Sequence, residues 1–104
     1  MTVAASTVAQ NPAARPRLVV FTSGVSGQCR RAEGYLAQVL QRRRNHATFR
    51  VVVVDERKRP DLVERFDVGV LPTLVVVADN VVRARLEQPR GCKDIEQLLG
   101  PWLL

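Results

Sequence analysis

The chain has 104 residues, so it can bury one modest core and form a single domain. Hydrophobic residues make up 46% of it and charged residues 25%, which excludes a disordered or collagen-like chain. No apolar run approaches the ~20 residues of a membrane-spanning helix, so no membrane partner is expected. The two cysteines are too few to cross-link a small secreted scaffold.

The net charge is +6, and all but two of the 16 basic residues are arginine. A positive balance of this kind favours acidic partners. Aromatic residues make up only 5% of the chain, which leaves few rings to stack on bases. We therefore expect protein or peptide partners of acidic character, and the composition does not favour specific nucleic-acid binding.

Residues 1–16 are predicted to form a flexible N-terminal tail, and residues 17–104 the folded domain. The tail is rich in Ala, Thr, Ser and Pro. It has neither the basic n-region nor the apolar h-region of a secretory signal peptide. These features predict a cytoplasmic protein, in which thiols are kept reduced.

The first half of the domain reads as strand, helix, strand. Arg17–Thr22 is a short apolar, β-branched run, as in a strand buried on both faces. After a turn, apolar residues recur at helical steps of three and four, and Phe49–Val54 then predicts a second buried strand. The residues of the helical face are Cys29, Ala32, Tyr35, Leu36, Val39 and Leu40.

The second half reads as helix, two strands, helix. Asp61–Phe66 predicts a short helix, and Thr73–Val77 a third strand. Asp79-Asn80 is a tight-turn signal that makes Val81–Leu86 the hairpin partner. An amphipathic helix closes the chain. The order β-α-β-α-β-β-α requires a parallel crossover first and a hairpin later, which predicts an α/β domain with a four-stranded mixed sheet flanked by helices.

Two segments carry a family resemblance. Ser26-Gly27-Gln28-Cys29 stands between the first strand and the first helix, and Leu71-Pro72-Thr73 immediately precedes the third strand. At these places the chain resembles thioredoxin, which has Cys-x-x-Cys at the first and a cis proline in an X-Pro-Thr segment at the second. The resemblance covers about Leu18 to the end. It implies a thioredoxin fold and a cis Leu71–Pro72 bond.

The chain also differs from the family at several positions of these motifs and their surroundings. Ser26 occupies the position of the first, nucleophilic cysteine, and Cys29 that of the second. The buried acid of the family falls at Val20, the tryptophan before the motif at Val25, and the proline inside it at Gln28. A motif with one thiol cannot form a local disulfide. The resemblance therefore implies a monothiol protein that is weak or inactive as a disulfide reductase.

Ser26 has two interpretations. As a nucleophile its hydroxyl needs a base within hydrogen-bond reach, and His46, the only histidine, lies at the far end of the same predicted helix. As an N-cap, the hydroxyl accepts a backbone N–H near Cys29, which is the simpler prediction.

Each cysteine also has two interpretations. Cys29 lies on the apolar face, as a buried structural residue would, although it could form a mixed disulfide with a partner if it became accessible. Cys92 falls at the start of the last helix beside Arg90 and Lys93, where positive charge favours the thiolate. It is thus a candidate reactive thiol, or simply a small residue tolerated there. A reducing compartment argues against a Cys29–Cys92 disulfide.

The resemblance also implies a peptide groove. In thioredoxin-like proteins the edge beside the cis proline pairs with an extended peptide, and such main-chain pairing needs no catalytic cysteine. The residues predicted to bind substrate are Val25, Gly27, Gln28, Leu71, Pro72 and Thr73. Two cysteines and one histidine are not spaced as a zinc site, so neither a metal nor another cofactor is predicted.

Two functions follow from these observations. The first is a thiol-based role in cell redox homeostasis, with Cys29 and Cys92 as the thiols. The alternative is a redox-inactive module that binds peptides in the groove beside Pro72. Whether the protein is an enzyme stays open, because it keeps the scaffold of the thiol-disulfide oxidoreductases without their nucleophilic cysteine.

Overall fold

The computed structural model describes residues 15–103, except the side chains of residues 43, 44 and 46. Across that range the chain forms four strands, three α-helices and one 3-10 helix, in the predicted order β-α-β-α-β-β-α. These are β1 (Arg17–Thr22), α1 (Gly27–Gln41), the 3-10 helix (Arg42–Ala47), β2 (Arg50–Asp55), α2 (Pro60–Arg65), β3 (Thr73–Ala78), β4 (Val81–Glu87) and α3 (Cys92–Leu99).

The predicted tail lies outside the described residues up to residue 14, and it stays a prediction. At its end, the Pro16 carbonyl accepts a hydrogen bond of 2.9 Å from the Arg50 backbone N–H, next to the first strand pair. Among residues 15–103, no helix is long and apolar enough to cross a lipid bilayer.

The four strands form one mixed sheet in the order β2-β1-β3-β4. β1 and β2 are parallel and joined through α1, whereas β3 is antiparallel to both β1 and β4. The predicted mixed sheet is confirmed. The register pairs Phe21 near the end of β1 with Thr73 at the start of β3. The turn after β1 and the Leu71–Pro72 segment therefore lie at the same end of the sheet.

Helices cover both faces of the sheet. Successive residues of β1 point to opposite faces, so its continuous apolar run is buried on both, as predicted. Val19 and Phe21 face α2 with Val54 and Val75. The larger core faces α1 and α3; its buried members are Leu18, Val20, Leu36, Val39, Leu40, Phe49, Leu74, Val76, Ile95 and Leu99.

The prediction that Phe49–Val54 is a fully buried strand is wrong. Val51 is 40% exposed and Val53 58% exposed, whereas Val54 is buried. The reason is position, because β2 is the outermost strand of the described sheet and pairs only with β1 there. Phe49 precedes the strand and is buried with its ring 6.5 Å from that of Trp102.

A single tight turn joins β3 to β4. Asp79 and Asn80, between β3 and β4, have φ angles of 54° and 62°. Two consecutive left-handed residues are typical of the primed turns that match the twist of a hairpin. The predicted hairpin is confirmed.

Two arginines fix the ends of α2. The Arg59 guanidinium donates hydrogen bonds of 3.1 and 2.9 Å to Asp61 and so lowers the pKa of that carboxyl. At the other end, Arg85 of β4 donates to the carbonyls of Phe66 and Asp67, over 3.0 and 3.3 Å. These last contacts tie the end of α2, and the loop that leads on to Leu71, to the sheet.

Candidate functional site

Ser26 caps α1. Its hydroxyl oxygen accepts a hydrogen bond of 3.2 Å from the backbone N–H of Cys29. Its own backbone N–H donates to the carbonyl of Ser23, also over 3.2 Å, which closes the turn after β1. The N-cap interpretation is thus confirmed. A hydroxyl held in this way stabilises the helix start.

Cys29 is completely buried, with 0% of its surface exposed. Its Sγ accepts a hydrogen bond of 3.3 Å from the backbone N–H of Ser23, which is itself buried. The sulfur thus satisfies a main-chain donor that water cannot reach. Because the thiol is shielded, a reagent or a partner sulfur reaches it only after the first turn of α1 opens.

The segment before β3, at the same end of the sheet as this turn, is built around a buried proline. The Leu71–Pro72 peptide bond is cis, and Pro72 is buried while Leu71 is half-buried. Thr73 is also buried, and its hydroxyl donates to the carbonyl of Val70 over 2.7 Å. The backbone N–H of Leu71 has no hydrogen-bond partner within residues 15–103. It therefore offers a free donor at this end of the sheet.

Gln88, the residue that follows β4, holds the cis-proline segment. Its backbone N–H donates to the Pro72 carbonyl over 2.8 Å, and its side-chain Nε2 donates to the Leu71 carbonyl over 3.3 Å. Gln88 has φ 47°, a left-handed conformation that glutamine rarely adopts. No local pattern in the sequence signals this role of Gln88.

The predicted substrate-binding residues divide into two groups. Val25 is 71% exposed, and Gly27 and Gln28 are exposed as well, so they are accessible at the end of the sheet where half-buried Leu71 also lies. The side chains of Pro72 and Thr73 are buried, so these two residues can only fix the conformation of the backbone at the groove. Contact of these residues with a peptide remains a prediction.

Cys92 lies elsewhere. It is the first residue of α3, half-buried, and its thiol donates to Gln38 Oε1 over 3.1 Å with the Tyr35 carbonyl at 3.7 Å. Tyr35 follows Cys29 by six residues, roughly 9 Å along the axis of α1. The structure therefore does not bring Cys92 to the Ser26 turn, and both cysteines are free thiols.

The largest cavity of the described residues lies away from this site. Its volume is about 500 Å³, and it is lined by Arg17, Asp79 and Trp102 among others. Arg17 begins β1 and Ser26 follows its end, so roughly 17 Å of strand separates them. The residues from 15 to 103 contain no group of three or more His, Cys, Asp or Glu that could hold a metal ion.

The sheet order, together with the helix-start turn beside a cis proline, defines a thioredoxin-like fold. The family model for thioredoxin matches residues 4–100, so this chain belongs to the thioredoxin family, as the resemblance implied. The match begins inside the predicted tail. No curated protein sequence matches the chain significantly.

Solved thioredoxin structures are similar to it. Thioredoxin 2 of Pseudomonas aeruginosa PAO1 in its reduced form is 27% identical, with TM-score 0.70 and coverage of 85% of this chain and 82% of the other. The germline-specific thioredoxin Deadhead of Drosophila melanogaster is 20% identical, with TM-score 0.72 and coverage of 86% and 83%. Oxidised thioredoxin O2 of Arabidopsis thaliana is 16% identical, with TM-score 0.70 and coverage of 85% and 75%. The last two similarities, at low identity, concern the fold alone.

Proposed function

We propose that this thioredoxin-family protein has a thiol-based role in cell redox homeostasis, acts as a monothiol on protein or peptide partners, and is weak or inactive as a disulfide reductase. The observation that carries the proposal is that Cys29, the only sulfur of the motif, is 0% exposed. We assign the protein to the cytoplasm and expect its partners to be acidic.

The chemistry of disulfide reduction explains the expected weakness. In a dithiol centre, one thiolate attacks a partner disulfide, forms a mixed disulfide and releases one partner thiolate. The second thiol then attacks the mixed disulfide, so the centre becomes a disulfide and the partner leaves as a dithiol. Here Ser26 has no sulfur for the first attack. If Cys29 makes that attack after opening, the motif holds no second thiol to release the partner.

A mixed disulfide of Cys29 would therefore persist until an external thiol, such as a small cellular thiol, attacked it. The Ser23 N–H that points at Sγ over 3.3 Å places one hydrogen-bond donor beside the sulfur. This contact supports a residual role for the sulfur. The burial of the same atom supports a slow one.

The test converts the turn into a dithiol. We expect Ser26→Cys to form a reversible disulfide with Cys29 and to reduce a model protein disulfide with dithiothreitol as reductant, whereas the natural chain stays at the background rate. Ser26→Ala is the matched control, because it also loses the cap without adding a sulfur. Turnover of the natural chain comparable with that of a dithiol thioredoxin would overturn the proposal.

A second candidate function, a redox-inactive peptide-binding module, is favoured by the free N–H of Leu71. That donor can pair with an extended peptide whatever the state of Cys29. Non-reducing electrophoresis after rapid thiol trapping separates the two functions. Covalent adducts that disappear in Cys29→Ser and Cys92→Ser variants support the thiol role. Partners that both variants retain without any covalent adduct support the binding module.

A further inference from the structure

A small cleft opens beside the predicted groove, between the first turns of α1 and the loop that leads into α3. Its volume is about 220 Å³. Pro89, which is buried, forms part of its wall, while the arginines on its two sides are exposed. The lining residues are Gln28, Arg31, Tyr35, Pro89 and Arg90.

The two arginines bring positive charge close to the motif. A Cβ atom placed on Gly27 would lie 3.6 Å from Nη1 of Arg31, so that guanidinium lies over the first turn of α1. Within residues 15–103, neither Arg31 nor Arg90 has a carboxylate within 4.0 Å of its guanidinium. The neighbouring carboxylate of Asp94 accepts the backbone N–H of Arg90 over 2.9 Å. The guanidinium donors therefore remain available.

The cleft is continuous with the predicted groove at both sides. Gln28 belongs to the motif turn and also lines the cleft. On the other side, Pro89 directly follows Gln88, which is hydrogen-bonded to both Leu71 and Pro72. Because Gln88 hydrogen-bonds to Leu71 and directly precedes Pro89, the wall of the cleft begins one residue beyond a contact with the point of main-chain pairing.

We propose that this cleft binds an acidic side chain, Glu or Asp, of the partner peptide, and so selects one position of the bound sequence. The inference rests on the proposed binding of peptides in the groove. Two guanidinium groups present donors on both sides of a space large enough for one carboxylate, and charge complementarity fixes the register of a bound strand. The cleft is thus a specific site at which this positively charged chain can recognise an acidic partner.

The experiment uses the full chain and a library of blocked seven-residue peptides. In each pool one position is fixed as Glu or as Gln, and the other positions are random. Each pool is passed over the immobilised natural chain, the double variant Arg31→Gln/Arg90→Gln, and the control Arg50→Gln. Arg50 is an exposed arginine on β2, at the opposite end of the sheet from the motif turn.

We expect the natural chain and the control to retain the Glu pool about fivefold better than the Gln pool at one position, as one exposed charge pair allows. In the double variant the ratio of Glu-pool to Gln-pool retention falls towards one, while retention of the Gln pools is unchanged. High salt also lowers this ratio towards one for the natural chain. The proposal for the cleft is overturned, and the peptide groove is not, if the double variant prefers Glu as strongly as the natural chain does. The same conclusion follows if the natural chain retains peptides but shows no preference for Glu at any position. Failure of the natural chain to retain any pool counts against the peptide groove as well.

Discussion

Two helices of this protein have a cysteine in the first turn, and these two helix N-termini differ in their capping, in the burial of the sulfur and in its hydrogen bonds. At the start of α1, Ser26 caps the helix and Cys29 is completely buried. At the start of α3, Gly91 provides no side-chain cap and Cys92 is half-buried. Cys29 accepts a backbone N–H, whereas the thiol of Cys92 donates its hydrogen to Gln38.

The cysteine at the position of the family motif is the less accessible of the two. Cys29 occupies the site where the family keeps its second cysteine, yet solvent does not reach it. Cys92 is more accessible, yet it contacts the middle of α1 away from the Ser26 turn. A thiol reacts only where a reagent can approach it, so accessibility decides which of the two cysteines reacts first.

The largest expected difference between Cys29 at the start of α1 and Cys92 at the start of α3 is in the rate of thiol labelling. We expect iodoacetamide at neutral pH to modify Cys92 roughly 100-fold faster than Cys29, because Cys29 reacts only after a local opening that costs about 3 kcal/mol. Mass spectrometry of timed samples measures both rates, and unfolding in concentrated guanidinium chloride should make them similar. Faster labelling of Cys29 in the folded chain would show that the turn is open.

Replacing each cysteine by alanine tests how much its thiol contributes to the stability of the fold. Cys29→Ala should lower the free energy of unfolding by about 2 kcal/mol, because it leaves the buried N–H of Ser23 without an acceptor. Cys92→Ala should cost less than about 1 kcal/mol, since its partners on α1 are partly solvated. Denaturant titration gives both values. Equal losses would mean that the N–H···S contact in the α1 turn contributes nothing.

Removing the cap of α1 has a smaller effect. Ser26→Ala should cost about 1 kcal/mol, because the Cys29 N–H loses its acceptor. Ser26→Asp restores a capping oxygen and places a negative charge at the positive end of the helix, so it should recover most of that stability. Thermal unfolding of the three chains measures the difference. An Asp variant no more stable than the Ala variant would contradict the capping role.

Adding a cap to α3 has the smallest effect. Gly91 has φ −178°, an extended conformation that any residue adopts, and a Cβ there meets no atom within 4 Å. Gly91→Ser should therefore raise the free energy of unfolding by a few tenths of a kcal/mol, roughly the known advantage of serine over glycine at an N-cap. A measurable loss would show that the two helix starts differ in more than their capping residue.

Local signals predicted the parts of the fold and of the site that a few neighbouring residues control. Ser26 lies three residues before the N–H that it accepts, and Asp79-Asn80 forms a turn through its own backbone preferences. The exposure of Val51 and Val53 could not be predicted in this way. Four consecutive valines read as a buried strand, and nothing in that segment states that β2 lies at the edge of the described sheet.

The sequence by itself determined the order of strands and helices, the cap of α1 and the absence of a second sulfur in the motif, because periodicity and short-range hydrogen bonds depend on residues a few places apart. Only the tertiary structure decided that Cys29 is sealed from solvent, that Gln88 holds the Leu71–Pro72 segment, and that Arg31 and Arg90 line one cleft. Arg31 and Arg90 stand 59 positions apart in the chain, and they meet because α1 and the loop before α3 pack at the same end of the sheet.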